Sequence, residues 1–324
     1  MAMRHATARD VTTPSGRRRA FAVVAGLVLV SMSLLSPASV AAAGTRDKLP
    51  DLRMAKPRDV QLVRYTAGYF AGRRLLRFST IITNEGTGPL DVRGQRDCTS
   101  LTTCPTMTVK QRIRQSDGTW RTVPTTATMQ YDVGDGHKHW HVLGMEKYRL
   151  WQLGVADPKP LRAAKYGFCF FDTTRWLDGA GPRYYVARPS GSNPGCGDPT
   201  TLKTRVGLTP GWADIYPWDF SGQYIDVTGV PTGEYLLCVR ADPSHRFQQV
   251  TPANDEAWVR VRLAGSTLTV RAAGRSSCAQ QRERFAPETS GGTGTIAAAA
   301  VEPGIVRLAS VGTSAPRFLC RLGA

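Results

Sequence analysis

Alternation of apolar and polar residues is the strongest pattern in this chain, and it predicts β-strands. In "AWVRVRL", residues 257–263, one side of the predicted strand carries Ala257, Val259, Val261 and Leu263, and the other carries Trp258, Arg260 and Arg262. Apolar residues also alternate in "GEYLLCVRAD", and "RRLLRFSTIIT" is rich in β-branched residues before the turn sequence "NEGTGP". Helical periodicity is almost absent, and 32 Gly with 21 Pro suit a turn-rich chain. We therefore predict an all-β fold, a β-sandwich-like domain with long loops and very little helix.

The two ends of the chain differ in composition from its middle. Three arginines at 17–19, an apolar run and the small residues at 41–43 follow the order of an export signal peptide over residues 1–43. The arginines also fit a twin-arginine export route. Serines interrupt the apolar run, so we predict a secreted protein with no stable membrane span, the alternative being a retained anchor. Residues 44–264 form the predicted β domain, and residues 265–324, which include "ETSGGTGTIAAAAVEPG", form a predicted low-complexity tail.

The net charge of the chain is +17, and removal of residues 1–43 leaves about +13. Such a surface is attracted to anionic surroundings, for instance anionic polymers of the cell envelope. The basic residues are scattered, with no run longer than two after residue 19, and no nucleic-acid motif accompanies them. We therefore predict no nucleic-acid partner.

The chain has seven cysteines, all after the predicted signal, and no C-x-x-C pair. In an exported chain this usage predicts disulfides rather than metal thiolates. Cys98 and Cys104 enclose a short loop and are expected to form a bridge. Two further bridges are predicted, Cys169 with Cys196 and Cys278 with Cys320, which leaves Cys238 as the odd cysteine.

Three of the four histidines after residue 43 lie in the pentapeptide "HKHWH", as His137, His139 and His141. On a helix, residues two apart point in different directions, whereas on a strand alternate residues share a side. A curved strand could therefore bring three imidazoles, spaced roughly 6.5 to 7 Å apart along it, over one metal ion. Copper and zinc are both open at this point, since imidazole suits either ion. The alternative is a polar strand face exposed to water.

The order of several motifs resembles that of the lysyl oxidase family. They are "GHKHWHVLGMEKYRLWQL", "KYGFCFFD", "GLTPGWADIYPWDFSGQYIDVTGVPTGEYLL" and "DPSHRFQQVTPAND", and the resemblance runs over about residues 49–263, as in compact microbial members of the family. It implies a secreted copper amine oxidase in which His137, His139 and His141 bind Cu(II). It further implies that Lys165 and Tyr216 form the cofactor lysine tyrosylquinone. Primary amines, in particular the ε-amines of lysine in peptides or proteins, would be converted with O2 to aldehydes, H2O2 and ammonia.

Some residues depart from the family pattern, and others have simpler interpretations. Arg175 and Trp212 stand where the resemblance leads us to expect cysteines. Lys165 could be an ordinary solvated lysine, and Tyr216 a half-buried sheet tyrosine. Asp214 is a candidate for the base that removes the α-proton of the substrate, because alternation places it on the side of Tyr216. An exported copper- or zinc-binding β-sandwich without a quinone is the alternative function, and it requires neither Lys165 nor Tyr216.

Overall fold

The computed structural model describes residues 44–134, 136–187 and 194–287. The first nine strands are β1 (Asp47–Lys48), β2 (Leu52–Met54), β3 (Arg58–Arg64), β4 (Arg74–Asn84), β5 (Leu90–Gln95), β6 (Thr106–Gln115), β7 (Trp120–Tyr131), β8 (Trp140–Leu143) and β9 (Glu146–Gln152). They are followed by β10 (Leu161–Arg162), β11 (Gly167–Phe168), β12 (Thr174–Arg175), β13 (Lys203–Leu208), β14 (Trp212–Tyr216), β15 (Tyr224–Asp226), β16 (Gly233–Ala241), β17 (Glu256–Ala264) and β18 (Thr267–Gly274). The described residues contain one helix, α1 (Cys278–Glu283).

The first sheet has the strand order β11-β8-β7-β6-β5-β13, with β1 added beside β6, and all its pairs are antiparallel. Burial alternates along β6, where Met107, Val109 and Ile113 are buried between exposed or half-buried neighbours. This period of two is the one expected of a sheet with one face on the core. At one edge of the sheet, β8 and β11 place the histidine motif next to the "KYGFC" segment.

The second sheet has the order β10-β9-β16-β17-β18. The burial pattern of β17 agrees with the alternation predicted from "AWVRVRL". Every second residue of this stretch is buried, namely Ala257, Val259, Val261 and Leu263. Strand β18 pairs along β17, and α1 follows it, so the folded part continues past residue 264. The predicted start of the tail at residue 265 is therefore too early, because β18 covers the open edge of β17. Residues 288–324 lie outside the described part of the chain.

The third sheet has the order β12-β14-β4-β15, and β2 and β3 pair with other parts of β4. Strand β4 is buried on both faces, which explains its continuous run of apolar and β-branched residues. One continuous apolar core draws on all three sheets, for instance Met129 from β7, Val261 from β17 and Phe78 from β4. The prediction of an all-β, sandwich-like fold with little helix is confirmed.

Three disulfides join described cysteines, and they agree with two of the predicted pairs. Cys98 bonds to Cys104, and Cys169 bonds to Cys196. The third prediction is wrong, since Cys278 bonds to Cys238 and not to Cys320. Because β18 returns the chain along β17, α1 lies over the outer face of β16, where Cys238 and Cys278 are buried beside Leu236. Cys238 is thus bridged, and Cys320 lies among the residues that are not described.

Two further sequence predictions concern segments at the ends of the chain. The predicted signal peptide, residues 1–43, lies outside the described residues, and export stays a prediction. Within the described ranges, no helix has the length and apolar character needed to cross a membrane.

Candidate metal and cofactor site

The three histidines of "HKHWH" converge, although not in the way the sequence predicts. Only His141 lies in a strand, β8, while His137 and His139 precede it in a tight turn where the amide of His139 donates to the carbonyl of His137 at 2.8 Å. The ring centroids are 4.4 to 6.2 Å apart, and one nitrogen from each ring lies within 4.8 Å of those of the other two. The prediction that all three lie on one strand is wrong, because the turn draws the first two rings closer than a strand would.

The close approach of β11 to β8 fixes the position of His141. The side chain of His141 is buried, and a Cβ atom added at Gly167 would lie only 2.7 Å from its Cβ and 2.8 Å from a methyl group of Val133. Such a distance is shorter than ordinary van der Waals contact, so any larger residue at 167 would push β11 away from the ring. The glycine of "KYGFC" therefore sets how the lysine segment packs against the histidine motif.

Lys165 and Tyr216 lie together in the interior of the protein. The ammonium nitrogen of Lys165 is 5.3 Å from the centroid of the Tyr216 ring and 5.2 Å from that of Phe168. Both side chains are buried, with 6% of each residue exposed. Lys165 is thus not the ordinary solvated lysine considered above, and Tyr216 is fully enclosed at the end of β14. A lysine amine this close to a phenol ring needs only a small displacement to reach a ring carbon.

The surroundings of the Tyr216 hydroxyl favour its neutral form. It donates a hydrogen bond to the carbonyl of Cys169 at 3.1 Å, and Phe168 packs edge-on against the ring at 5.1 Å between centroids. Burial raises the pKa of Tyr216 well above its ordinary value, and the nearby carboxyls of Asp214 and Glu146 raise that pKa further. Ionisation of the ring therefore requires that these acids be protonated or that a cation lie nearby.

Asp214 lies on the same side of β14 as Tyr216, as the alternation predicts, and it is fully buried. Burial raises the pKa of Asp214 well above its ordinary value, although a hydrogen bond from Tyr216 acts in the opposite direction. The charge of Glu146 raises it as well. Two buried carboxyls thus flank the phenol.

The histidine motif and Tyr216 meet at one disulfide. A ring nitrogen of His139 lies within 4.8 Å of the sulfurs of both Cys169 and Cys196, and Cys169 also accepts the hydrogen bond of Tyr216. Because these two sulfurs are bonded to each other, they offer no thiolate to a metal. Their bridge instead links the "KYGFC" segment to the loop that precedes β13.

Sequence reasoning missed Glu146, which is the second acid of this site. It is fully buried, and its Oε2 accepts hydrogen bonds from the hydroxyls of Tyr148 at 2.5 Å and Thr80 at 3.4 Å. Burial raises the pKa of Glu146 to about 7, although Tyr148, Lys165 and Thr80 each lower it. The sequence did contain a signal, since Glu146 alternates in phase with Tyr148 and Leu150, the core-facing residues of β9.

Glu146 and Lys165 also line one pocket of about 270 Å³. The pocket lies between the start of β9, the segment that carries Lys165 and the loop that carries Ser244 and Arg246. Its exposed end includes Tyr166, which is 55% exposed, whereas Glu146 and Lys165 are buried. The pocket therefore gives solvent molecules and small solutes a route to the buried lysine.

The donor set of the histidine motif fits a metal ion, and the buried pair fits the predicted cofactor. Three imidazoles with converging nitrogens match three-ligand sites that keep an open coordination position. Imidazole donors suit copper, for which the affinity of such sites among divalent ions is highest. The Lys165 nitrogen, 5.3 Å from the Tyr216 ring centroid, is near enough for a displacement of the side chains to bring it to a ring carbon.

The comparison with known families covers this whole site. Residues 91–273 match the family model described as lysyl oxidase, which is more than half of the chain. The chain belongs to the lysyl oxidase family. The lysyl oxidase match begins at Asp91 in β5 and ends at Ala273 in β18, so it includes the histidine motif, Lys165 and Tyr216. It also ends beyond residue 264, in agreement with the pairing of β18.

Similar lysyl oxidase sequences include protein-lysine 6-oxidase of Gallus gallus, with 27% identity over 157 residues, 48% of this chain and 33% of that protein. The corresponding Sus scrofa protein is also 27% identical over 157 residues, which is 55% of its length. Lysyl oxidase homolog 2 of Gallus gallus is 26% identical over 204 residues, 63% of this chain and 20% of that protein. The matched part of the chain thus spans between a fifth and about half of these relatives.

Arg175 and Trp212, the positions where cysteines were expected, face each other across β12 and β14. The guanidinium carbon of Arg175 lies 5.6 Å from the centroid of the Trp212 ring, and the indole nitrogen donates to the carbonyl of Gly181 at 2.8 Å. A cation–π contact therefore joins β12 and β14 of this lysyl oxidase family member at two positions where cysteines were expected. The same strand β14 carries Asp214 and Tyr216.

Proposed function

We propose that this protein is a secreted copper-dependent amine oxidase that converts primary amines, in particular the ε-amines of lysine in peptides, to aldehydes. The observation that carries the proposal is the buried contact between Lys165 and the ring of Tyr216, with 5.3 Å from the lysine nitrogen to the ring centroid. A protein that only stores metal needs no buried lysine beside a buried phenol. The charge of Lys165 also lowers the pKa of the buried Glu146, so the lysine, the phenol and an acid share one enclosed site, which suggests a chemical role.

The histidine motif would hold the copper ion through His137, His139 and His141, whose ring nitrogens converge within 4.8 Å. Bound copper, with O2, would supply the oxidation that turns the Tyr216 ring into an ortho-quinone able to accept the amine of Lys165. The buried position of Tyr216 and its hydrogen bond to Cys169 hold the ring in one orientation during that reaction.

Lys165 and Tyr216 would together hold the lysine tyrosylquinone, which would supply an electrophilic carbonyl for amine oxidation. Overall, a primary amine, O2 and water give an aldehyde, ammonia and H2O2, so the amine carbon is oxidised and O2 is reduced. The chain's own acids have a defined part in this reaction, because protons must leave the ammonium of Lys165 and the α-carbon of the substrate.

Glu146 is suited to accept those protons. Its pKa of about 7 lies near the working pH of many enzymes, and it lines the same pocket as Lys165. Its Oε1 is buried and has no hydrogen-bond partner among the described residues, so one oxygen is available for a proton. Asp214, whose pKa burial raises well above its ordinary value, would be a second buried acid near Tyr216.

The test is amine-dependent release of H2O2 by copper-loaded protein after incubation in air, together with redox-cycling staining for a quinone. We expect both signals from the wild type and neither from Tyr216→Phe, although this variant should still bind copper. The matched control is Tyr69→Phe, which removes an exposed phenol that does not line the pocket of Lys165 and should keep both signals.

A different result would favour the alternative function. Stoichiometric copper binding with no quinone and no peroxide from any amine would make the chain an exported metal-binding β-sandwich. Equal peroxide release by wild type and Tyr216→Phe would mean that the tyrosine is assigned wrongly.

A further inference from the structure

The pocket that reaches Lys165 has an excess of positive charge. Its lining includes five cationic side chains and one acid, namely Lys147, Arg149, Arg162, Lys165, Arg246 and Glu146. Lys147 and Arg162 are exposed near its mouth, whereas Glu146 and Lys165 are buried at its inner end. If the amine of Lys165 is used in the cofactor, four cations remain around the route to it.

Three of these cations are held close together by the register of β9 and β10. Arg149 and Arg162 are direct cross-strand partners, and Lys147 lies two residues from Arg149 on the same face of β9. Like charges that face each other across a sheet are destabilising, so this arrangement costs stability. In agreement, the pKa of Arg149 is lowered by burial and by the charge of Arg162.

No carboxylate among the described residues lies within ion-pair distance of these four cations, although Glu256 lines a neighbouring pocket with Lys147 and Arg149. None of Lys147, Arg149, Arg162 and Arg246 forms an ion pair in the described part of the chain, in contrast to the neighbouring Arg240, which pairs with Asp255 and Glu256. The guanidinium of Arg246 donates instead to the carbonyl of Leu143 at 2.7 Å, which fixes its position beside the pocket.

A pocket of this charge repels the substrate that the proposed function requires. A primary amine is protonated near neutral pH, so it would have to pass four cations before it reached the only acid of the lining, Glu146. Carboxylates carried beside the amine would reverse this effect, because they would pair with the cations as the ammonium group moved towards Glu146.

We propose that Lys147, Arg149, Arg162 and Arg246 form a subsite for carboxylates, and that the enzyme selects peptidyl lysines flanked by acidic residues. This inference rests on the proposed function and names its substrate class. Charge complementarity assigns the occupant: the buried Glu146 faces the amine, and the exposed Lys147 and Arg162 with the half-buried Arg149 and Arg246 face the acids next to it. A polyanion without an amine would pair with these four cations but would leave Glu146 without a cationic partner from the ligand.

The test compares three short peptides with one central lysine, flanked by glutamates, by serines or by arginines. Exposed ion pairs are each worth a few-fold in affinity, so two or three of them predict a KM about tenfold lower for the acidic peptide than for the serine peptide. The double variant Arg149→Gln with Arg162→Gln should remove most of this preference. The control Arg64→Gln changes an exposed arginine that does not line the pocket, and it should keep the preference.

A binding measurement separates this inference from the proposed function. Fluorescently labelled peptides are titrated onto the Tyr216→Phe variant, in which no turnover is expected, at low and at high salt. Tighter binding of the acidic peptide, weakened by salt and by the double variant, supports the subsite even if no amine is ever oxidised. Equal binding and equal KM for acidic and serine peptides would overturn it, whether or not peroxide is released. Competition with inorganic polyphosphate is a further check. If polyphosphate displaces acidic and serine peptides equally well, the cations form a general surface for polyanions, and the inference is wrong.

Discussion

The replacement Glu146→Gln gives the sharpest physical test of the buried site, because it removes a single titrating group. The pKa of Glu146 is raised from 4.5 to about 7, first of all by burial. Between these two pH values the folded protein keeps a proton on Glu146 that the unfolded chain has released. The folded state thus binds more protons, and its stability falls as the pH rises through this window. Above about pH 7 the loss is complete, and below pH 4.5 it is absent.

The size of the effect follows from the pKa values. Each tenfold change in proton affinity corresponds to about 1.4 kcal/mol, so the rise from 4.5 to about 7 predicts a loss of about 3 kcal/mol in the free energy of unfolding. A glutamine at 146 does not titrate. The difference in unfolding free energy between wild type and Glu146→Gln should therefore change by about 3 kcal/mol, in favour of the variant, from acid to neutral pH.

The assay is urea unfolding of metal-free protein with intact disulfides, at several pH values on both sides of the window. The same unfolding experiments are carried out on Tyr148→Phe, since the hydrogen bond from Tyr148 lowers the pKa of Glu146. In this variant the pH at which stability is lost should move upward. A difference between wild type and Glu146→Gln that stays constant with pH, or that changes in the opposite direction, would refute the assignment of Glu146 as a buried acid that is neutral below pH 7.

Three further predictions concern the metal, the packing beside it and the Arg175–Trp212 pair. His139→Ala should abolish stoichiometric copper binding in equilibrium dialysis, whereas the control His245→Ala, which changes a histidine outside the motif, should bind as the wild type does. Gly167→Ala should lower the copper affinity and reduce the free energy of unfolding in urea by about 1–3 kcal/mol, because the added methyl group would lie 2.7 Å from the Cβ of His141. An unchanged copper affinity together with an unchanged free energy of unfolding would contradict this packing. The pair Arg175→Cys and Trp212→Cys should oxidise to a disulfide that adds about 3 kcal/mol over the reduced form in unfolding experiments, and failure to oxidise would contradict the cross-strand register.

Local patterns allowed much of the fold to be predicted, and long-range pairing explains what they missed. The alternation in β17 determines which face of the strand packs on the core, since a shift by one residue would bury Arg260 and Arg262 there. The disulfide between Cys238 and Cys278 could not be predicted from such a local pattern. It depends on β18 returning beside β17, and "TLTVRAAG" contains too few large apolar residues to show a strand clearly.

Parts of the candidate site could also be predicted from the sequence, and other parts could not. The resemblance to the lysyl oxidase family pointed to Lys165 and Tyr216, and the folded chain brings them together across 51 residues of sequence. The turn that gathers His137 and His139 was not predicted, because spacing alone favours a strand. Glu146 was missed because one of its partners, Thr80, comes from β4, which is far away in the sequence, although Tyr148 lies on the same strand β9.

Peptide mapping by mass spectrometry addresses the chemistry of the buried pair most directly. The protein is loaded with copper in air, digested without reduction of the quinone, and searched for a peptide pair joined through Lys165 and Tyr216. We expect the joined pair in the wild type, and its absence in Lys165→Arg, in Tyr216→Phe and in protein kept free of copper. Fully copper-loaded, aerobically incubated wild type in which both peptides are recovered separate and unmodified would contradict the proposed oxidase.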